Sequence, residues 1–331
     1  MAEGEAHRLT IWAVSDGRSG IENQALGLAE AVARKVMADV VVKRVGWRGR
    51  LGRLPALMNL FPKRALSDQS DTFEAPWPDL WIAAGRATLP LSIRMGRWSE
   101  GRTFVVQIQD PRLPTRMFDL VAPPKHDRLT GENVFPIIGS PHRVTTARMV
   151  KELARFRERI DPLPEPRVAV MVGGKSKAFD LSPARAETIA RELDLALEQE
   201  GASLLMTFSR RTPEKSKAIL RERLSHRPGF IWDGEGPNPY FALLAAADFI
   251  AVTEDSINMA AEAASTGKPV FIIEMDGDQR RKRLFHADLE ARGAARPFGG
   301  SFYRWTYEPL RETDRLAEEI VRRLTDRPDL I

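Results

Sequence analysis

The chain has 331 residues, 43% hydrophobic and 29% charged, with no cysteine and a formal net charge of +5. That length exceeds one ordinary domain and fits two, and the lack of cysteine excludes disulfides and thiolate metal sites and suits a reducing compartment. No apolar run approaches the ~20 residues of a spanning helix, no signal-peptide pattern is expected, and the positive charge favours an anionic partner such as nucleotide, nucleic acid or lipid surface.

Residues 9–14 (LTIWAV) read as a strand. It runs into a polar loop, Ser15 to Gly20, that holds Asp16 and two glycines. Leu26, Ala29, Val32, Ala33 and Val36 recur at helical spacing and predict a helix over 21–37. Residues 39–45 then return as a strand. The chain therefore opens on a βαβ unit with a polar loop at the carboxyl end of its first strand. The loop lacks the G-x-G-x-x-G dinucleotide spacing. Asp16 and Glu22, with Asn23 and Gln24, are able to bind or deprotonate a hydroxyl. Asp16-Gly17 equally suits a plain turn and Glu22 a helix cap, and at this level both readings stand.

Residues 43–64 carry seven basic side chains and no acidic one. Lys43, Arg44, Arg48, Arg50, Arg53, Lys63 and Arg64 alternate with Trp47 and with leucine, methionine and phenylalanine. This is the composition of a segment lying on an anionic membrane surface. A loop packed on its own domain explains it as well. Single-stranded nucleic acid fits least, and no nucleic-acid partner is expected.

Further strands are predicted over 79–84, 103–109, 119–122 and 133–138, with a helix marked by Leu89, Leu91, Ile93 and Met95. Each strand ends in a polar or glycine-containing loop, so polar loops gather along one sheet edge. Asp110 and the His126-Asp127 pair sit in such loops; the pair serves equally as a base with its neighbour or as a satisfied surface contact. An amphipathic helix is expected over 145–160, and residues 161–166 (DPLPEP) form the clearest linker. The first domain is thus read as 1–160.

The βα pattern restarts at 167–172 (RVAVMV) and leads into Gly173-Gly174-Lys175-Ser176, where glycines admit close backbone approach to a ligand. The spacing is not that of a P-loop. A strand at 203–208 leads to Ser209, Arg210, Arg211, Thr212 and Pro213, two arginines suited to a diphosphate. After a strand at 230–232 and a helix over 239–247, residues 249–252 form a strand that stops at Thr253-Glu254-Asp255-Ser256. Those are helix-capping types. A helix follows over 257–265, and Gly267 and Pro269 lead into the strand 270–273. A helix start after a strand offers free N–H groups to a phosphate. Glu262, six residues past Ser256, stands where a carboxylate meets a ribose; a solvated Glu on a capped helix is the alternative.

Five segments carry a resemblance: 12–24 (WAVSDGRSGIENQ), 109–112 (QDPR), 209–213 (SRRTP), 238–240 (NPY) and 252–259 (VTEDSINM). Together they resemble bacterial members of the mitochondrial-fission (elongated-mitochondria) protein family, over nearly the whole chain. The paired βα domains are similar to the GT-B glycosyltransferase architecture: α/β, two Rossmann-like doubly wound domains facing a cleft. The resemblance implies that the second domain, 167–331, binds a nucleotide-sugar donor, with the last helix packing back on the first domain. Glu262 would hold the ribose, Ser256 the diphosphate, and Gly173, Gly174, Ser209 and Arg210 the rest of the crevice, with Arg211, Thr212, Asn238, Thr253 and Asp255 in the same segments. Glu254 and Asp255 suit such a site only if they turn away or pair with Arg210 or Arg211. The first domain would bind the acceptor, with Asp16 and Glu22 ahead of Asp110 and His126 as the base. GT-B enzymes usually use no metal or other cofactor. The reading is therefore a transferase of a lipid or envelope-glycan acceptor, in the cytoplasm at the inner membrane face. A nucleotide-sugar epimerase on the same scaffold and a non-catalytic adaptor, the role described for the plant member, are the other two.

Overall fold

The computed structural model describes residues 8–327, without the side chains of Arg50 and Arg53. Contacts divide it into two compact units: unit 1 ends at Arg143 and resumes at Arg311, and unit 2 runs from Val144 to Leu310.

Unit 1 contains β1 (Leu9–Ser15), α1 (Ser19–Ala33), β2 (Ala38–Arg44), β3 (Leu80–Ala84), α2 (Leu89–Trp98), β4 (Phe104–Ile108) and β5 (Leu120–Ala122). All five strands are parallel, in the order β2-β1-β3-β4-β5. Successive β1 residues point to opposite faces, as a pleated strand requires. Ile11 and Ala13 pack with Leu28 and Val32 of α1, and Trp12 and Val14 pack with Trp81, Leu91 and Met95. Both faces are covered, which is why the strands read as continuous apolar runs. The C-terminal helix, Glu312–Thr325, adds Leu316 and Ile320 to the α1 face. Its first turn is tied to the unit: Ile138 N–H donates to Glu312 Oε2 at 3.0 Å and His142 N–H to Thr313 Oγ1 at 3.1 Å.

Unit 2 contains α3 (Thr146–Arg155), α4 (Arg157–Ile160), β6 (Arg167–Val172), β7 (Phe179–Asp180), α5 (Pro183–Glu200), β8 (Ser203–Phe208), α6 (Glu214–Leu224) and β9 (Gly229–Ile231). It continues with α7 (Tyr240–Ala246), β10 (Phe249–Thr253), α8 (Ile257–Ala264), β11 (Val270–Ile273), β12 (Asp276–Gly277), α9 (Arg280–Ala291) and β13 (Ala295–Pro297). Its parallel sheet has the order β13-β11-β10-β6-β8-β9, and β7 and β12 form a separate antiparallel pair.

Four expectations change. The helix expected over 145–160 divides at Phe156, which turns inward and stacks on Phe230 at 6.3 Å. Its first part packs on α7, with Arg148 over the Phe241 ring at 5.4 Å, so the division falls at Val144 rather than after residue 160. Residues 133–138 make only the isolated bridges Val121↔Val134 and Pro124↔Ile137. Pro136 has no N–H for a continuous ladder. The first helix also stops at Ala33, short of 37.

In each sheet the chain reverses its direction of travel once, between β1 and β3 in unit 1 and between β6 and β10 in unit 2. Ligands of open α/β sheets bind beyond the carboxyl ends of the strands at such a point. The loops there are 16–18 and 85–88 in unit 1, and 173–178 and 254–256 in unit 2.

His142, 6% exposed, is held neutral: burial depresses its pKa to about 4, with Asp314 opposing. The unfolded chain then binds the proton first, so stability contributed by His142 is present above pH 6.5 and lost as pH falls towards 4, on the order of 3 kcal/mol in all. His142→Gln, which does not titrate, is expected to lose that part of the acid destabilisation in denaturant melts between pH 7 and 4. Equal pH slopes in the two proteins would refute it.

Candidate functional site

The unit 2 switch point is knotted by one carboxylate. β10 ends at Thr253, and the Asp255 side chain turns back inward and is fully buried. It accepts from Gly174 N–H at 3.1 Å, from Thr253 Oγ1–H at 2.8 Å and from the Arg211 guanidinium at 2.8 Å. Thr253 Oγ1 in turn accepts from Gly173 N–H at 2.7 Å. Thr212 Oγ1 donates to Gly173 O at 2.5 Å, and Ser209 Oγ accepts from Arg211 N–H at 3.1 Å. The loops after β6, β8 and β10 are thereby one hydrogen-bonded unit. The double glycine serves this knot: a Cβ on Gly173 would stand 1.9 Å from Asp255 Oδ1, and one on Gly174 would stand 2.2 Å from the Arg211 carbonyl oxygen. The close approach is to the protein's own groups.

Both acidic residues are therefore accounted for. Asp255 pairs with Arg211, and Glu254 turns to Met275, whose N–H donates to Oε1 at 2.6 Å. Burial raises the Glu254 carboxyl above its ordinary value. Ser256 caps α8, its Oγ accepting from Met259 N–H at 3.4 Å. Arg210 is exposed.

Glu262 lies on the buried, alanine-rich α8 and is 8% exposed. Tyr240 O–H donates to Oε2 at 2.5 Å. Burial pushes the Glu262 carboxyl up to about 7, against the opposing Tyr240 bond. Tyr240 is the first residue of α7, and Asn238 Oδ1 caps it by accepting from its N–H at 3.0 Å. The segment 238–240 and Glu262 thus form a second cluster.

Sequence reasoning missed three residues near these loops: Tyr240 as the partner of Glu262, and Lys282 and His286 on α9. The Lys282 ammonium donates to the Asp255 carbonyl, lies 4.4 Å from the Phe179 ring centre and has its pKa lowered by burial. His286 Nε2–H donates to Glu254 O at 2.9 Å. A visible signal existed. Residues 280–283 (RRKR) place four cations in the first turn of a helix, the end where the dipole disfavours them.

In unit 1 two of the candidate carboxylates are held by arginines. Asp16 pairs with Arg18 at 2.7 Å, and Glu22 is gripped by Arg44 through two bonds of 2.6 and 3.1 Å. Asp110 Oδ1 accepts only from Arg112 N–H, at 2.8 Å, and enters no ion pair among the described residues. The preceding Gln109 has φ 72°, unusual for a non-glycine residue, and its Nε2 donates to Gln24 Oε1 at 2.9 Å. His126 and Asp127 are 3.8 Å apart and their side chains are buried.

The basic segment is anchored at its base. Lys43 donates to Thr72 O, Arg44 holds Glu22, Arg48 pairs with Asp68, and Trp47 Nε1–H donates to Ala87 O at 3.1 Å. Lys63 lies over Trp77 and Trp98, at 4.3 and 4.5 Å, and Arg64 over Phe61. The side chains of Arg50 and Arg53 lie outside the described residues. Leu51, Leu54, Leu57, Met58, Leu60 and Phe61 are exposed, the last two at 67%. Among the described residues no helix is long and apolar enough to cross a membrane.

Two parallel doubly wound units with these switch-point loops define a protein of the GT-B fold. A solved UDP-GlcNAc 2-epimerase from Methanocaldococcus jannaschii shares it, with a TM-score of 0.59 at 13% identity over 97% of this chain and 100% of that one. The sequence model described as Mitochondrial fission ELM1 matches residues 19–324, and the chain belongs to that family. It is 30% identical to the mitochondrial fission protein ELM1 of Arabidopsis thaliana, over 84% of this chain and 71% of the relative. It is 28% identical to an uncharacterized protein of Rickettsia prowazekii (strain Madrid E), over 94% and 98%.

Gly173→Ala is expected to destabilise by about 1–3 kcal/mol, because Asp255 must shift. Gly299→Ala, with nothing within 4 Å of the new Cβ, serves as the control. Thermal melts compare them, and equal midpoints would mean that the knot yields freely.

Proposed function

We propose that unit 2 binds a nucleotide sugar and that the protein transfers the sugar to an acceptor presented at an anionic membrane surface. The observation that carries the reading is Glu262: a buried carboxylate on the helix that starts at the β6/β10 switch point, six residues past its cap. The positive dipole end at the α8 start suits a diphosphate, and Glu262 suits the ribose hydroxyls. Arg210 and the cations of residues 280–283 supply positive charge for the leaving diphosphate, with no metal required. The solved relative of the same fold is named for a UDP-sugar, which supports the ligand class.

For the base we favour Asp110. The carboxylate oxygens of Asp16 and Glu22 are already engaged by Arg18 and Arg44. Asp110 has no such partner and sits on a strained turn. Transfer is favoured over epimerisation by the exposed apolar stretch 51–61 amid basic residues, which suits docking to a lipid-borne acceptor and which an epimerase does not need.

A panel of UDP, GDP, CMP, ADP and dTDP sugars is expected to contain one that raises the melting temperature. Glu262→Ala should weaken that ligand at least about tenfold. Free nucleotide released only when membrane extract is added marks transfer, whereas an epimer formed without release marks an epimerase. A flat response across the panel at millimolar concentration removes the reading and leaves the adaptor.

Vesicles containing phosphatidylserine are expected to bind the protein in a sedimentation assay. Leu60→Asp with Phe61→Asp should reduce that partition at least about tenfold, since both side chains would otherwise enter the lipid. Unchanged partition would exclude this surface.

A further inference from the structure

Glu262 is the sixth residue of α8, about 7.5 Å of helix rise from its start at the carboxyl edge of the sheet. An ionised carboxylate has room for about four hydrogen bonds. Among the described residues this one receives a single bond, from the Tyr240 phenol. Tyr240 opens α7, so its backbone also lies at the carboxyl edge and its side chain runs from there down to Glu262. The phenol therefore lies along the route by which a ligand at that edge would reach the carboxylate. Ahead of it runs an exposed stretch, residues 233–238, with Gly234 at φ 101° and Gly236 at φ 70°. Only glycine adopts the first of these freely. At the end of that stretch Asn238 fixes the start of α7 by accepting from Tyr240 N–H, so a change at Tyr240 need move only its side chain.

Resting on the assignment of Glu262 as the acceptor of the nucleoside's sugar hydroxyls, we propose that Tyr240 occupies that acceptor in the empty protein and sets the affinity threshold that a ligand must pass. Its phenol O–H takes the place of one ribose hydroxyl on Glu262, and a ribonucleotide binds by replacing it. The exchange is one donor for two when the ligand carries a 2′,3′-diol, and one for one when it is a 2′-deoxynucleotide. Tyr240 thereby weakens every nucleotide by the bond it must surrender, and only a diol recovers more than was lost.

The test uses the full chain with UDP, GDP, CDP and ADP and their 2′-deoxy forms, by calorimetry. Wild type should bind one ribonucleotide and disfavour its deoxy form. Tyr240→Phe should tighten both about tenfold, since no bond to a charged acceptor is then surrendered. In a Glu262→Gln background the same substitution should change affinity little, because the coupling runs through the Glu262 carboxylate. A second readout needs no variant at position 240. The chain has three tyrosines, so ¹³C-labelled tyrosine gives three ring signals, assigned through Tyr303→Phe and Tyr307→Phe. The Tyr240 signal should move as the ribonucleotide saturates.

Wild-type binding with Tyr240→Phe unchanged or weaker overturns the inference and leaves Glu262 as the ribose acceptor. A Tyr240 signal that stays fixed at saturation does the same, even if the variant fails to fold. No binding of any nucleotide by wild type overturns both.

Discussion

The carboxylate of Asp255 is the constraint on which the geometry of unit 2 depends. It is fully buried and is bonded by a backbone N–H, a hydroxyl and a guanidinium from three separate loops. Arg211 is half-exposed, but the carboxylate it meets is not, and removing one of its donors costs about 1–3 kcal/mol because a buried acceptor then lacks that bond. The three loops must therefore keep one mutual arrangement. That arrangement places Gly173 and Gly174 where no side chain fits and leaves the start of α8 at the reversal point of the sheet.

The same constraint distributes charge. Arg211 is used internally, with Asp255 and the carbonyls of Gly174 and Lys175. Arg210 beside it is exposed, and the first turn of α9 carries residues 280–283, of which Arg283 pairs with Asp278. That turn is electrostatically unfavourable for its own helix, and Lys282 is partly offset by the Asp255 carbonyl and the Phe179 ring. A local rule broken where several loops meet is the usual mark of a site selected for something other than stability.

Unit 1 solves a different problem with similar means. Arg18 and Arg44 neutralise Asp16 and Glu22 beside its switch point, so acidity there is spent on holding loops. The unusual backbone of Gln109 is held by Gln24 of α1, which joins the loop after β4 to the helix that follows β1. The segment between β2 and β3 is clamped by Trp47 and Lys63 at its base and carries its leucines, Met58 and Phe61 outward.

Most of the secondary structure was legible in the sequence, because a parallel strand buried on both faces is a short apolar run and each such run here is closed by polar or glycine residues. The strands 167–172, 203–208 and 270–273 were read to the residue. The doubly wound class and the loops that bear the candidate residues were legible for the same local reasons, and the family was legible only through its resemblance in five short segments. Partnership was not. That Asp255 chooses Arg211, that Glu262 meets Tyr240 and that Glu22 is held by Arg44 depend on contacts between residues 22 to 44 positions apart. A run of charge likewise does not state which cations are consumed internally, as Lys43, Arg44 and Arg48 are. Local pattern determined which elements form. Only tertiary packing decided which polar groups satisfy one another, because a buried charge takes its partner from whatever the fold brings within about 3 Å.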